Sequence, residues 1–116
     1  MSKKLGTKVK IPIYDRGLRI TVTKDINKGL KQIGFDDLED DVVEGTVIED
    51  PTGIIHVFIE PKANINVICH EAFHVTKNVL DTAGLTLTES SEEAYAYLIG
   101  WVAEKIQKEI CKNKRK

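Results

Sequence analysis

An α+β fold is predicted by three features of this sequence. Two short alternating segments lie near the start, a turn-flanked pair of β-branched segments lies in the middle, and two long segments of helical periodicity close the chain. The expected arrangement is a small, mostly antiparallel sheet with a short helix and two long helices packed on one side. With 116 residues there is room for one core, so residues 1–116 form a single domain.

In Lys8–Ile13, Val9, Ile11 and Ile13 share one face; in Leu18–Thr23, Leu18, Ile20 and Val22 do. Asp15-Arg16-Gly17 turns the chain between them, which predicts a β-hairpin. Pro12 places the first strand at a sheet edge, because proline has no N–H to give to a ladder. Asp25 is an N-cap candidate for a short helix whose apolar residues are Ile26, Leu30 and Ile33, with Gly34 as its stop. The acidic stretch Asp36–Asp41 reads as an exposed loop or irregular helical turn.

A second hairpin is expected from Thr46–Glu49 and Ile54–Glu60, which flank Asp50-Pro51-Thr52-Gly53. Ile54–Glu60 is apolar on both sides and reads as the best-buried strand. Asn64 or Asn66 caps a long helix running to about Ala83, with Gly84 after it and Ile65, Ile68, Ala72, Val75 and Val79 as its core stripe. The last helix follows Thr86-Leu87-Thr88 and runs to about Cys111, with Ala94, Leu98, Trp101, Val102, Ile106 and Ile110 on its apolar face.

Charge and hydropathy exclude several function classes. Seventeen basic residues against 18 acidic ones argue against a nucleic-acid binder that works by neutralising phosphates. No apolar run is long enough to span a bilayer. Lys3 and Lys4 are followed by no apolar signal-peptide segment, so none is expected. Two cysteines are too few for a disulfide scaffold, and the expected setting is the cytoplasm.

The chemistry is carried by His70-Glu71-Ala72-Phe73-His74, an H-E-x-x-H motif inside the first long helix. Residues four apart stack on one helical face, so the two imidazoles can address one metal ion. Glu71 is turned by about 100° from His70 and lies beside such a metal, placed to take a proton from a metal-bound water. The alternative is a pair of surface histidines on a polar face. A site of this kind needs a third ligand. Glu93 follows His74 after eighteen intervening residues, in the first turn of the next helix, where it can face back toward the pair. It also completes Ser90-Ser91-Glu92-Glu93, the pattern of a capping box, and Glu92 or Glu89 could be the ligand instead.

H-E-x-x-H, eighteen residues, then a helical Glu with small Ala96 three residues on resembles the gluzincin metallopeptidases. The stretch from about Thr46 to Ile106 looks like a minimal, zincin-like version of that domain. The HEAFH and SEEAYAYLIGW segments resemble predicted metallopeptidases of bacteriophages and prophages, whose place would be the host cytoplasm. The resemblance implies one zinc per chain held by His70, His74 and Glu93, with Glu71 as general base in peptide-bond hydrolysis. Larger gluzincins carry an acid four residues after the ligand Glu, where this chain has Tyr97. They also take an oxyanion-stabilising group from a second lobe, for which Tyr95 and Tyr97 are the nearby substitutes. The alternative function is a non-catalytic zinc-binding module of a phage or mobile element that binds a protein partner.

His56 shares a strand face with Ile54, Phe58 and Glu60. In the resembled fold that strand edges the cleft and pairs with an extended substrate; otherwise His56 is a half-exposed strand histidine. Cys69 is expected to be buried packing, because at one residue before His70 it points off the ligand face. Cys111 has no partner spacing. Tyr97 and Trp101 are expected in the core. Lys112–Lys116 reads as a solvated basic tail that complements the helix dipole or touches an acidic partner.

Overall fold

The computed structural model describes residues 5–35 and 44–114. The acidic stretch Asp36–Asp41 and the ends at 1–4 and 115–116 lie outside the described residues. The chain is α+β, with a mixed four-stranded sheet and three helices. In chain order these are β1 (Thr7–Ile11), β2 (Arg16–Val22), α1 (Ile26–Gln32), β3 (Gly45–Glu49), β4 (Ile55–Ile59), α2 (Ile65–Thr82) and α3 (Glu92–Lys114).

The strand order is β1-β2-β4-β3. Both expected hairpins form antiparallel pairs, and β2 joins β4 in parallel, Leu18 opposite Ile55 and Ile20 opposite Val57. That central pairing brings the two apolar strands together and leaves β1 and β3 as edges. The edge position of β1 suits Pro12, which directly follows it. The first turn sits earlier than the sequence suggests. Tyr14 N donates to Pro12 O at 2.7 Å, and Ile13 and Asp15 take positive φ, so Arg16 already belongs to β2.

All five residues of β4 are buried, as expected for the central strand. Ile55, Val57 and Ile59 face α2 and α3; Phe58 faces α1, packed with Ile26 and Leu30. The sheet is therefore covered on both sides, with the two long helices together on one. On α2 the buried stripe is Ile68, Ala72, Val75 and Val79, at helical spacing. Ile65 is 63% exposed and not part of it, since it stands in the first turn, before the helix reaches the sheet. On α3 the stripe is Leu98, Val102, Ile106 and Ile110.

Caps fix where the helices begin and end. Asp25 accepts from Lys28 N and Asn64 from Val67 N, so Asn64, not Asn66, caps α2. Gly84, at φ +85°, reverses the chain after α2, with Leu85 N donating to Leu80 O at 2.8 Å. α3 runs to Lys114, so part of the expected basic tail is helical, with Lys112 and Lys114 in its last turn. Among the described residues no helix is long and apolar enough to cross a membrane.

Candidate metal centre

His70 and His74 stand in the middle of α2, on the face turned away from its buried stripe. Their rings lie 4.7 Å apart between centroids, at 71° to each other. The two Nε2 atoms approach to 3.1 Å. Two nitrogens bonded to one tetrahedral zinc at about 2.0–2.1 Å stand about 3.3 Å apart. The separation of the two nitrogens is close to that spacing. Without a metal, the pair forms a hydrogen bond in which one ring donates and the other accepts. Phe73 sets an edge against His74 at 6.1 Å between centroids.

Glu71 lies on the neighbouring side of the helix and is 6% exposed. Its carboxylate has no donor among the described residues. Burial pushes its carboxyl above the usual range, and the neighbouring His70 opposes that shift. The wall it packs on is β3. A Cβ added at Gly45 would stand 2.9 Å from Glu71 Cγ and 3.1 Å from Oε2, so only glycine lets the strand lie this close to the carboxylate.

These side chains share one cleft of about 350 Å³, lined by Gly45, Thr46, Val47, His70, Glu71, His74 and Asn78. Among the described residues its outer wall is a sheet edge with no further strand paired to it. Glu60 N donates to Glu44 O and Asp50 N to Ile54 O, so the backbone of every second residue from Glu44 to Asp50 faces β4. The N–H and C=O groups of Gly45, Val47 and Glu49 accordingly turn away from the sheet, at the rim of the cleft.

The remaining sequence candidates lie elsewhere. Glu93 is exposed in the first turn of α3. Two residues on, Tyr95 OH donates to Leu85 O at 2.9 Å and to Asp81 Oδ1 at 3.4 Å, which holds the start of α3 against the end of α2. Asp81 is seven residues past His74, about 10 Å of helix rise. Among the described residues no group of three or more His, Cys, Asp or Glu side chains is placed to hold a metal. No capping-box bond joins Glu93 to Ser90 among them either. Ser91 organises that turn instead, accepting from Thr88 N at 2.9 Å and donating to Thr86 O.

Tyr95 is buried, and desolvation, then Asp81, raise its phenol above the ordinary value. Its hydroxyl is engaged at the α2 terminus, not in the cleft. Tyr97 is 77% exposed rather than core. Trp101 is half-buried, with Lys105 Nζ 5.2 Å from its ring centroid. Cys69 is exposed, because it sits one residue beyond the buried Ile68 and turns out of the stripe.

His56 lies on β4, which is central, so the strand that walls the cleft is β3. His56 is 2% exposed and neither half-exposed nor in the cleft. It stacks on Phe58 on the α1 side of the sheet, with Nε2 2.8 Å from Asp50 Oδ2. Asp50 also accepts from Thr52 Oγ1, Thr52 N and Ile54 N, and these donors hold its carboxyl well below the usual carboxylate range.

Two cleft residues, Asn78 and Gly45, escaped the sequence reading, as did Arg16, which donates to Asn78. Asn78 continues the stripe of His70 and His74 at the next i+4 position, so helical periodicity alone could have found it. Gly45 and Arg16 left no local signal, since both depend on the way β3 and β2 meet α2. Comparison with protein-family descriptions, characterised proteins and solved structures yields no match for this chain.

Proposed function

We propose that this chain is a zinc-dependent, metallopeptidase-like protein with a zincin-like core, in which His70 and His74 bind one zinc ion. The observation that carries this reading is the 3.1 Å approach of two imidazole Nε2 atoms beside a buried carboxylate in a strand-walled cleft. Zinc there would supply a Lewis acid and an acidified water. Glu71 would accept the proton of that water and pass it to the leaving amine. Its lack of donors among the described residues supports this role, because none of them competes for its lone pairs. The edge of β3, unpaired among the described residues, suits an extended peptide, which gains backbone hydrogen bonds by adding a strand.

The second reading is a non-catalytic zinc module that binds a protein partner. It is favoured by the missing third protein ligand among the described residues, since a partner side chain could complete the coordination. Glu93 completes it within the chain only if the first turn of α3 shifts toward the histidines.

Elemental analysis after zinc incubation and dialysis tests the proposal. Loss of zinc in both His70→Ala and His74→Ala supports the site, and full zinc in both refutes it. Full zinc in Glu93→Ala assigns the third position to water or a partner.

A further inference from the structure

We propose that Asn78 is a substrate-binding residue whose Nδ2 amide donates to a backbone carbonyl oxygen of a peptide lying in the cleft; this rests on the peptidase reading above. Asn78 lines the cleft with His70, Glu71 and His74, one helical turn beyond His74. Its Oδ1 accepts from Arg16 Nη2 at 3.4 Å. A guanidinium has donors and no acceptor, so the carboxamide must present its oxygen to Arg16 and turn its NH2 the other way. Arg16 is itself held in place. Its side chain is 17% exposed, and the same Nη2 donates to Glu49 Oε1 at 2.9 Å and to Gly53 O at 3.3 Å, so its two hydrogens are shared among three acceptors. It thus ties β2, the end of β3 and the β3–β4 turn to α2.

The amide is therefore oriented before any ligand arrives, which reduces the ordering cost of binding. Among the described residues no acceptor takes the Nδ2 hydrogens. A half-buried NH2 in a cleft without a protein acceptor is matched by a ligand that brings one, and a peptide carbonyl is the acceptor an extended substrate repeats. Four residues of helix advance about 6 Å, close to two residues of extended peptide. The carbonyl that Asn78 takes belongs one or two residues from the bond at the metal, not to that bond. Asn78 thereby selects peptides over small amides.

The test uses binding, so that it does not depend on turnover. Zinc-incubated wild type and Asn78→Asp are titrated calorimetrically with three probes. Acetohydroxamate reports the metal alone. N-acetyl-glycyl-leucyl hydroxamate and the hydroxamate of malonyl-leucine amide extend from the metal in the two chain directions. Asn78→Asp keeps the side-chain shape and still accepts from Arg16, so the fold is retained, while its second oxygen faces the ligand carbonyl. At least one peptide hydroxamate should bind the variant about 10-fold or more weakly, with acetohydroxamate unchanged. Equal binding of both peptide probes to the two proteins would overturn the role of Asn78 and leave the zinc site standing. An equal loss for acetohydroxamate would overturn it too, by showing an effect through the metal. If the wild type holds no zinc by elemental analysis, the zinc reading fails and this inference with it; zinc-loaded wild type that binds neither peptide probe would overturn this inference alone.

Discussion

Two carboxylates in this chain are shifted in opposite directions, and the contrast separates a structural site from the proposed chemical one. Asp50 accepts from a hydroxyl, two backbone amides and His56, all within its own hairpin. Glu71 is buried, where Asp50 is half-buried, and has no donor among the described residues; it packs on the bare backbone of Gly45. The first arrangement stabilises a charge and makes it inert. The second leaves a carboxylate under-solvated beside two histidines, which costs stability and favours proton acceptance. The histidines follow the same division. His56 is buried against an acid and an aromatic ring, whereas His70 and His74 are exposed and point their Nε2 atoms at each other. Motif and burial together, not histidine content, distinguish the two.

The sharpest way to break this contrast is Glu71→Gln. Peptide cleavage by the zinc-loaded protein should fall by about 10²–10⁴-fold, the range for losing a general base, with zinc content unchanged. The melting temperature of the metal-free variant should hold or rise, because a buried charge without donors among the described residues has been removed. Equal cleavage by variant and wild type would place the proton acceptor elsewhere.

Asp50→Ala should cost about 2–4 kcal/mol in urea unfolding, since it orphans His56 and the turn amides. Acid should act on the same group. Its carboxyl titrates lower in the folded chain than in the unfolded one, so its contribution is complete above the ordinary carboxylate pKa of about 4 and is lost as pH falls below it. Wild type should therefore lose more stability between pH 5 and pH 2 than Asp50→Asn, both ends being approximate bounds on that window. Identical acid profiles would remove Asp50 from the account.

A smaller effect is expected at Gly45→Ala. The added methyl meets the Glu71 side chain, so that side chain or β3 must give, at a cost of about 1–3 kcal/mol measured by thermal unfolding. The shift opens the wall beside the carboxylate, so the acid limb of the cleavage pH profile should move down as water returns to Glu71. An unmoved profile would show that Gly45 does not control the solvation of Glu71.

Much of the fold was legible because local chemistry and packing agree. Asp25, Asn64 and Gly84 punctuate helices where their side chains or φ require, and Asp50-Pro51-Thr52-Gly53 forms the hairpin turn its residues demand. The parallel pairing of β2 with β4 was not legible, because it depends on which apolar strand meets which across 37 positions of chain, from Leu18 of β2 to its partner Ile55 of β4. The same limit explains His56 and the cleft wall. Once β4 is central, its histidine is buried and β3 becomes the edge. His70, Glu71 and His74 were legible because their geometry is internal to one helix. The surroundings of Glu93 depend on where α3 begins, and Ser91 rather than Ser90 sets that start.

The central claim is that the outer face of α2 is a metal site. Zinc content per chain, measured for wild type and for the His70→Ala/His74→Ala double variant after identical zinc incubation and dialysis, tests it most directly. One zinc in wild type and none in the double variant is the predicted result. A wild type that holds no zinc, or a double variant that holds as much as wild type, would contradict it.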